Sequence, residues 1–273
     1  MQVKKIQVGI VGLGYVGGAV RHWFDSKKDL YDLYLYDKYK KIGSVSEVNK
    51  ADIIFVAVPT PFHEDNGGYD DSAIRETLEN IKDGKIVVIK SSVLPGSTDK
   101  FQKDYPQKTL LFNPEFLTAE NAVADFLNPH RQIVGYTTEK SKEVAPKILN
   151  ILPHAQFSRI IRAKEAEMVK FFGNTFLAMR VIFANQIYDL CAKLGIDYEA
   201  VKECAGHDIR IGHSHFDIFH EGYRGYGGMC LPKDTRALLQ LAEKIGVDLE
   251  LLKKVEEINS RLRGESIQTT KQT

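Results

Sequence analysis

Cysteine and long apolar runs are both scarce in this sequence. The three cysteines among 273 residues, Cys191, Cys204 and Cys230, are odd in number and widely spaced. This spacing excludes a CxxC zinc site and argues against a disulfide framework, so we expect a reduced, cytoplasmic protein. No window approaches the roughly 18 uninterrupted apolar residues of a membrane span. The N-terminus runs into a strand-like pattern without the apolar stretch of a signal peptide.

An excess of charge of one sign is also absent. Lysine and arginine number 37 against 36 aspartates and glutamates, which gives a formal net charge of +1. With this balance no global electrostatic field favours nucleic acid or a membrane surface as a partner. Apolar residues make up 43% of the chain, which is enough for a sizeable core, and the length suits two domains.

A glycine-rich stretch follows the first predicted strand. Gly12-Leu-Gly14-Tyr-Val-Gly17 opens a predicted helix, and Asp37 ends the second strand twenty residues beyond Gly17. This is the dinucleotide-binding fingerprint in its required context, with glycines for the turn, for the approach of a pyrophosphate and for helix packing. The predicted cofactor contacts in this region are Gly12, Gly14, Tyr15, Val16, Gly17 and Asp37.

The identity of the dinucleotide depends on the residues around Asp37. A carboxylate at this position accepts a hydrogen bond from a ribose hydroxyl and repels a 2′-phosphate, so we predict NAD as the cofactor. Lys38, Lys40 and Lys41 keep NADP open as the alternative, because basic residues can hold that phosphate.

The two halves of the chain differ in their hydrophobic periodicity. Up to about residue 161, short β-rich runs alternate with helical stretches, which is typical of a parallel sheet covered on both faces. Residues 164–194 contain no proline and one glycine, and they predict one long helix. Its apolar residues spread over more than one face, which fits either a partner subunit or an ordinary internal core.

These patterns predict an α/β protein in which a Rossmann-type doubly wound parallel sheet is followed by an all-α domain with one long central helix. We place the sheet domain at 1–162, the helical domain at 163–263 and a flexible polar tail at 264–273.

Three more strand ends carry polar residues. Pro59-Thr60-Pro61, Ser91-Ser92 and Asn113-Pro114-Glu115-Phe116 each follow an apolar run. Each alone is ordinary turn chemistry, but ligands collect at the carboxyl ends of strands in this architecture. Together with the glycine loop they predict a cleft, in which the further cofactor contacts are Thr60, Pro61 and Ser91.

The helical half contains a polar pair and an unusual cysteine. Lys170 and Asn174 lie four residues apart, and therefore on one face of the long helix. A solvated stripe is the common explanation of such a pair, yet phenylalanines surround this one. The stretch G-Y-R-G-Y-G-G-M-C-L-P-K-D, residues 222–234, sets Cys230 at the start of a predicted helix, where the helix dipole favours a thiolate.

In this order the motifs resemble the UDP-glucose/GDP-mannose dehydrogenase family. The matching stretches are G-L-G-Y-V-G, V-P-T-P, S-S-V-L-P-G-S-T, F-N-P-E-F-L, K-F-F-G-N, D-I-R-I-G and G-Y-G-G-M-C-L-P-K-D. They extend over nearly the whole chain, and the cysteine motif is highly specific. The resemblance implies oxidation of a nucleotide sugar, most simply UDP-glucose to UDP-glucuronate for polysaccharide biosynthesis, with two NAD and one water.

The resemblance also implies the site residues. Cys230 would be the nucleophile that holds the aldehyde and then becomes a thioester. The other implied catalytic residues are an oxyanion-stabilising pair, Lys170 and Asn174, a residue that serves as base or orients water, Asp234, and two residues near the hydrolytic water or the sugar, Glu115 and Ser92. The implied substrate contacts are Phe116, Leu117, Gly227 and Arg210, the last supplied by the neighbouring subunit of a homodimer. No metal site is expected.

The chain departs from the family pattern at several points. Ala119 stands where a second glutamate is expected, and Ser92 stands where threonine is usual. The chain stops near Arg263, where a third domain that grips the nucleotide would begin, so a short form is expected. Two alternatives stay open, namely a two-electron dehydrogenase of the β-hydroxyacid type and a non-catalytic dinucleotide-binding protein.

Overall fold

The computed structural model describes residues 4–64, 67–220 and 222–269, with side chains described up to residue 264. The strands are β1 (Ile6–Val11), β2 (Tyr31–Asp37), β3 (Ile42–Gly43), β4 (Ile53–Val56), β5 (Phe62–His63), β6 (Gly68–Tyr69), β7 (Ile86–Ile89), β8 (Thr109–Phe112), β9 (Arg131–Tyr136) and β10 (Phe157–Arg162). The helices are α1 (Tyr15–Asp25), α2 (Val45–Val48), α3 (Ser72–Asn80), α4 (Ser97–Asp104), α5 (Ala122–Leu127), α6 (Glu139–Ile151), α7 (Ala163–Leu194), α8 (Tyr198–Gly206), α9 (Leu231–Lys244) and α10 (Glu250–Thr269).

The first compact unit, Met1–Lys170, is built on one sheet with the strand order β10-β9-β8-β7-β4-β1-β2-β3. Strands β2, β1, β4, β7 and β8 run parallel to one another. Their carboxyl ends therefore meet at one edge, with β1, β4, β7 and β8 leading into the four loops that the sequence singled out.

Helices cover both faces of this sheet. Successive residues of a strand point to opposite faces, so Ile54 and Val56 of β4 pack on one side while Ile53 and Phe55 pack on the other. The first side is closed by α3, α4 and the start of α7, and the second by α1, α5 and α6. This is the doubly wound α/β arrangement that the sequence predicted.

Two strand pairs depart from the parallel arrangement of the sheet. Strand β9 runs antiparallel to β8, and β3 runs antiparallel to β2. The chain between β8 and β9 contains only loops and the short helix α5, and it makes no crossover to the opposite edge. β9 therefore starts where β8 ends, whereas the full helix α6 crosses over and makes β10 parallel to β9.

In the second compact unit, Phe171–Thr273, the described residues form helices joined by loops. Ala178 and Ile182 of α7 pack with Tyr226 and with Val255 of α10, and a second cluster forms around Cys191 and its neighbours. Throughout the residues that the structure describes, no helix is both long and apolar enough to cross a bilayer.

The domain limits differ slightly from those expected. The division falls after Lys170 and not after 162, because Ala163 and Ala166 in the first turns of α7 belong to the core of the sheet unit. The tail, expected to be flexible over 264–273, is helical as far as Thr269. Its last four residues, 270–273, lie outside the described residues.

Candidate active site

The glycine loop after β1 is shaped by three different requirements. Gly12 has φ +85°, and a Cβ at this position would lie 2.4 Å from the carbonyl oxygen of Ala57. A Cβ on Gly17 would lie 1.8 Å from the carbonyl oxygen of Gly12, so helix α1 packs on the turn only because glycine is there. Around Gly14, by contrast, no atom of the described residues beyond its local backbone and chain neighbours lies within 4 Å of the same position, and the backbone is open to a ligand.

The start of α1 next to this loop suits an anion. Gly14 is the N-cap and provides no side-chain cap, and no acidic residue occupies the first turn, Tyr15 to Gly18. The first backbone N–H groups of a helix point outward and carry a partial positive charge. A cleft beside the loop is lined by Gly12, Gly14 and Asp37 and closed by apolar side chains of α2 and α3. The loop and cleft therefore fit a dinucleotide.

Asp37 is buried and anchors the glycine loop. Its Oδ2 accepts a hydrogen bond from Leu13 N at 2.7 Å, and its Oδ1 accepts from the backbone N–H groups of Tyr39 and Lys40. Burial by itself acts to raise the pKa of Asp37, but these three bonds and the charge of Lys40 outweigh it and lower the pKa. A carboxylate offers about four acceptor positions, which leaves one for a ribose hydroxyl.

Two of the nearby lysines already have partners. Lys38 pairs with Glu76 at 2.6 Å, and Lys40 Nζ donates to the carbonyl oxygen of Leu13 at 2.6 Å. Two of the three amines that could receive a 2′-phosphate are thus engaged, and that of Lys38 lies beside the added negative charge of Glu76. This arrangement favours NAD over NADP.

The loops that follow β4 and β7 are tied together. Thr60 Oγ1 donates to the carbonyl oxygen of Ser92 at 2.9 Å, and Ser91 Oγ donates to that of Val58 at 2.7 Å. Thr60 and Ser91 are both buried, so their hydroxyls shape the edge of the sheet as much as they face a ligand. Ala119, at the position of the expected second glutamate, is exposed and lines a cleft with Gly14 and Tyr15.

Glu115, in the loop that follows β8, forms a buried ion pair with Lys170 of α7. Lys170 Nζ lies 2.7 Å from Glu115 Oε1, and the two side chains are only 6% and 9% exposed. Glu115 Oε2 also accepts from Leu117 N at 2.8 Å. Burial acts to raise the pKa of Glu115, but Lys170, the bond from Leu117 and the charge of Lys90 outweigh it and lower the pKa. Glu115 is thus held as a carboxylate next to an ammonium group.

Lys90 is a functional candidate that the sequence prediction missed. It directly follows β7, is fully buried, and donates from Nζ to Asn113 Oδ1 at 2.5 Å. Burial lowers the pKa of Lys90 to about 7, with Glu115 opposing and Lys170 reinforcing that change. The only sequence signal was a lysine at the end of the apolar run I-V-V-I-K.

Glu167 is a second buried charge that the sequence prediction missed. Its Oε1 accepts from Thr98 N at 2.8 Å and Thr98 Oγ1 at 2.6 Å, and its Oε2 accepts from Gly96 N at 2.5 Å. Helix α7 thereby caps the start of α4, whose own N-cap residue is glycine. Burial raises the pKa of Glu167 to about 7, although the three bonds favour the charged form.

The titration of Glu167 predicts a pH-dependent stability. The folded chain keeps the proton of the Glu167 carboxyl up to about pH 7, whereas the unfolded chain loses it near the ordinary pKa of 4.5. The stabilisation of the folded state by this proton is therefore complete at low pH. It is lost as pH rises through about 7. We expect the advantage of wild type over Glu167→Gln in free energy of unfolding to shrink by about 2 kcal/mol from pH 5 to pH 8.

Urea unfolding at the two pH values measures this difference. The exposed neighbour Glu165→Gln on the same helix is the matched control and should show no such change. An advantage that stays constant between pH 5 and pH 8 would show that Glu167 does not titrate in this range.

In the helical unit the cysteine lies at the start of a helix. Cys230 is exposed and is the N-cap residue of α9, with Pro232 in the first turn. Asp234, also in the first turn, is completely buried. Its Oδ2 accepts from Asn174 Nδ2 at 2.6 Å and its Oδ1 from Lys233 Nζ at 2.5 Å. Two predicted catalytic residues, Asn174 and Asp234, therefore form a direct contact.

The glycines before Cys230 serve packing in part. A Cβ on Gly225 would lie 2.5 Å from Asn259 Oδ1, and one on Gly227 would lie 2.5 Å from the hydroxyl of Tyr223. Gly228 has φ +72°, and among the described residues no atom outside its own chain neighbours lies within 4 Å of the position of its Cβ. The positive φ of Gly225 and Gly228 thus favours glycine at both positions, and Gly228 also has open space beside its Cα.

Arg210 lies on an exposed loop of the helical unit. Its guanidinium pairs with Asp208 at 2.6 Å. Arg180 of α7 holds the next residues by donating to the carbonyl oxygens of Ile211 at 2.6 Å and Gly212 at 3.0 Å. The loop is anchored, and the Arg210 side chain projects from it with 85% of its surface exposed.

Fold and cleft together define a Rossmann-type dinucleotide-binding protein with an appended helical unit. Two family models match the chain, the NAD binding domain of the UDP-glucose/GDP-mannose dehydrogenase family over residues 35–152 and its central domain over residues 164–261. The chain belongs to the UDP-glucose/GDP-mannose dehydrogenase family. The first match confirms NAD as the predicted cofactor.

Individual relatives agree with this assignment. The chain is 35% identical over 221 residues to UDP-glucose 6-dehydrogenase YwqF of Bacillus subtilis. The matched region covers 77% of this chain and 49% of the relative. It superposes on a UDP-glucose dehydrogenase from Pyrobaculum islandicum with a TM-score of 0.82 and 26% identity, over 94% of this chain and 68% of that one. The chain spans about half the length of the curated relatives it matches.

A third comparison concerns the fold alone. The 3-hydroxyisobutyrate dehydrogenase of Mycobacterium tuberculosis has a TM-score of 0.74 at 14% identity, over 94% of each chain. The same architecture therefore also occurs in a protein of another name and of similar length, so function has to be argued from the site.

Proposed function

We propose that this chain is an NAD-dependent nucleotide-sugar 6-dehydrogenase that oxidises UDP-glucose to UDP-glucuronate. One primary alcohol, two NAD and one water would give one carboxylate, two NADH and three protons. Cys230 at the start of α9 is the observation that carries this proposal, because a two-electron oxidation needs no thiol there. The family membership and the relatives named UDP-glucose 6-dehydrogenase support it.

The thiol has a setting that suits a nucleophile. The N-terminal end of a helix favours a thiolate over a thiol, and Cys230 is the N-cap residue of α9. Its exposure allows a substrate to reach the sulfur. The thiolate would add to the carbonyl carbon of the aldehyde formed in the first oxidation. The resulting thiohemiacetal keeps the aldehyde bound until the second hydride leaves it, and a thioester is formed.

The polar residues would manage charge and protons around that carbon. We assign Lys170 and Asn174 to the oxyanion of the thiohemiacetal, since an ammonium group and an amide N–H both donate to negative oxygen. Asp234, held by Asn174 and Lys233, would accept the proton of the alcohol. Ser92 would hold the water or the sugar.

Hydrolysis would use Glu115. This carboxylate is kept ionised beside Lys170, so it can take a proton from an attacking water. Water would add to the thioester carbon, and the carbon–sulfur bond would break to restore the Cys230 thiolate. Phe116, Leu117 and Gly227 would line the substrate.

NAD, bound at the glycine loop, would supply the hydride acceptor for both oxidations. The chain's own contribution is to receive the pyrophosphate at Gly14 and the first turn of α1. Asp37 would orient the adenosine ribose, and Lys38 and Lys40 would stay engaged with Glu76 and the carbonyl oxygen of Leu13 instead of binding a 2′-phosphate.

A substrate panel tests the proposed function. The purified chain is mixed with UDP-glucose, other UDP-sugars or GDP-mannose, with either NAD or NADP, and reduced cofactor is followed by absorbance. We expect the largest rate with UDP-glucose and NAD. No reduction with any sugar would favour a non-catalytic dinucleotide-binding protein, and reduction only with a small hydroxyacid would favour the two-electron alternative.

We further propose that the chain forms a homodimer through α7. The helix carries exposed apolar side chains at intervals of four and seven residues, which lie on one face: Phe172, Phe176, Phe183, Leu190 and Leu194. A continuous apolar stripe of this kind is costly in water and suits a second copy of the same helix. Arg210, which is exposed on an anchored loop, would then extend into the active site of the neighbouring subunit.

A charge in the middle of this stripe should break the dimer. Phe183→Glu is expected to raise the dimer dissociation constant by at least about 100-fold, because a carboxylate would have to be buried at the interface. Analytical ultracentrifugation over a range of concentrations measures the change. Leu251→Glu, an equally exposed position on α10, is the matched control. A wild-type chain that stays monomeric at high concentration would contradict the proposal.

A further inference from the structure

The buried cation Lys90 has no role in the chemistry outlined above. Lysine is almost never fully buried unless its charge is matched, because removing an ammonium group from water is costly. Lys90 is 2% exposed, and its Nζ donates to Asn113 Oδ1 at 2.5 Å and to the carbonyl oxygen of Asn113 at 3.3 Å. We therefore expect the buried ammonium group of Lys90 to have a specific electrostatic role.

Strand register brings Lys90 and Asn113 side by side. Ile89 of β7 pairs with Phe112 of β8 in parallel, so the next residue of each strand occupies the same position at the carboxyl edge. Asn113 is completely buried and is held from the other side as well, since its Nδ2 donates to Ile133 O at 2.6 Å and to Gln132 Oε1 at 2.9 Å. Lys90 thus completes a rigid frame around Asn113.

Glu115 lies two residues after this frame. Pro114 intervenes and restricts the backbone between them. Because the Asn113 carbonyl and side chain are both bonded to Lys90, the direction in which the chain leaves β8 is fixed, and so is the place of the Glu115 carboxylate. Lys90 and Glu115 also line a common cavity of about 900 Å³ beside α5.

The charges around this frame form a cation–anion–cation set. Glu115 contacts Lys170 directly and also experiences the field of Lys90. The fields of Glu115 and Lys170 act on Lys90, which also contacts the neutral Asn113 and lies 5.3 Å from the ring of Phe126. A second buried cation near Glu115 stabilises the carboxylate more than one ion pair would alone.

We propose that Lys90 is a positioning residue for Glu115. It fixes the Asn113–Pro114–Glu115 turn through Asn113 and, in its charged form, adds to the positive field of Lys170 that keeps Glu115 ionised. The inference rests on the proposed function in so far as Glu115 is the base of the hydrolytic step. The field and the turn belong to the folded chain whatever the reaction.

Charge and hydrogen bonding can be separated by substitution. Lys90→Met removes both, Lys90→Gln retains a donor for Asn113 without the charge, and Lys90→Arg retains the charge. In Lys90→Met and Lys90→Gln we expect kcat/KM for the nucleotide sugar to be lost at a higher pH than in wild type, because removal of the cation raises the pKa of Glu115. Lys90→Arg should recover most of this loss, and the KM for NAD should stay unchanged in all three.

A second readout does not require turnover. In chains labelled with ¹³C at the glutamate carboxyl carbon, the Glu115 resonance is the one missing from Glu115→Gln. Its titration should move to higher pH in Lys90→Gln and return with Lys90→Arg. If Lys90→Met does not fold, Lys90→Gln decides the question alone.

The outcomes of the two readouts are distinct. A Glu115 titration and an acid limb of kcat/KM that are the same in wild type and Lys90→Gln would overturn the positioning role. A wild-type chain without any sugar oxidation would contradict the proposed function instead, and the Glu115 titration would still decide the role of Lys90.

Discussion

Cys230→Ser is expected to lower the rate of uronate formation by at least about 10³-fold. A serine hydroxyl is not ionised near pH 7, so it adds poorly to an aldehyde, and it forms no thioester for the second oxidation and hydrolysis. The free energy of unfolding should change little, because Cys230 is exposed. The measurement is uronate produced per enzyme per second, with aldehyde trapped separately as a released product.

Cys204→Ser is the control for this variant. Cys204 is also exposed, but it lies in α8 outside the glycine-rich motif, and its replacement should leave the rate unchanged. If Cys230→Ser oxidised the sugar completely at the wild-type rate, the covalent mechanism would be wrong.

Lys170→Met is expected to lower both turnover and stability. The substitution removes a cation assigned to the oxyanion, which costs roughly 10²–10³-fold in kcat. It also leaves Glu115 buried without its direct partner, which costs about 3–5 kcal/mol in the free energy of unfolding. The pKa of Glu115 should rise, because Lys170 is the strongest of the groups that lower it. Steady-state kinetics and urea unfolding measure the two effects.

A double substitution separates the two losses. Lys170→Met combined with Glu115→Gln removes both charges, so much of the stability lost in Lys170→Met should return. Activity should stay low, since neither group can act. Additive losses of stability in the double variant would mean that the pair is not coupled in the folded chain.

The sequence predicted the features that depend on local pattern. The glycine loop, Asp37 and the long helix α7 follow from spacing and periodicity, and the structure has each at its predicted place. The parallel core of the sheet followed from alternating strands and helices. The direction of β9 did not, because it depends on whether the chain between β8 and β9 crosses the sheet, and a short helix leaves no distinct signal for that.

The buried charges were beyond local pattern for a different reason. Lys90 and Glu167 each stand as one charged residue in an apolar or mixed stretch. Their roles depend on hydrogen-bond partners far away in the sequence, Asn113 for Lys90 and Gly96 and Thr98 for Glu167. Such pairings depend on strand register and on which helix turn reaches which loop. A single sequence records neither, whereas the motif around Cys230 is contiguous and was therefore visible.

The number of NADH molecules formed for each UDP-glucose consumed distinguishes the four-electron oxidation from a two-electron one. With limiting sugar and excess NAD, we expect two NADH and one UDP-glucuronate for each UDP-glucose, without accumulation of aldehyde. One NADH for each sugar, with an aldehyde as the final product, would contradict the four-electron oxidation.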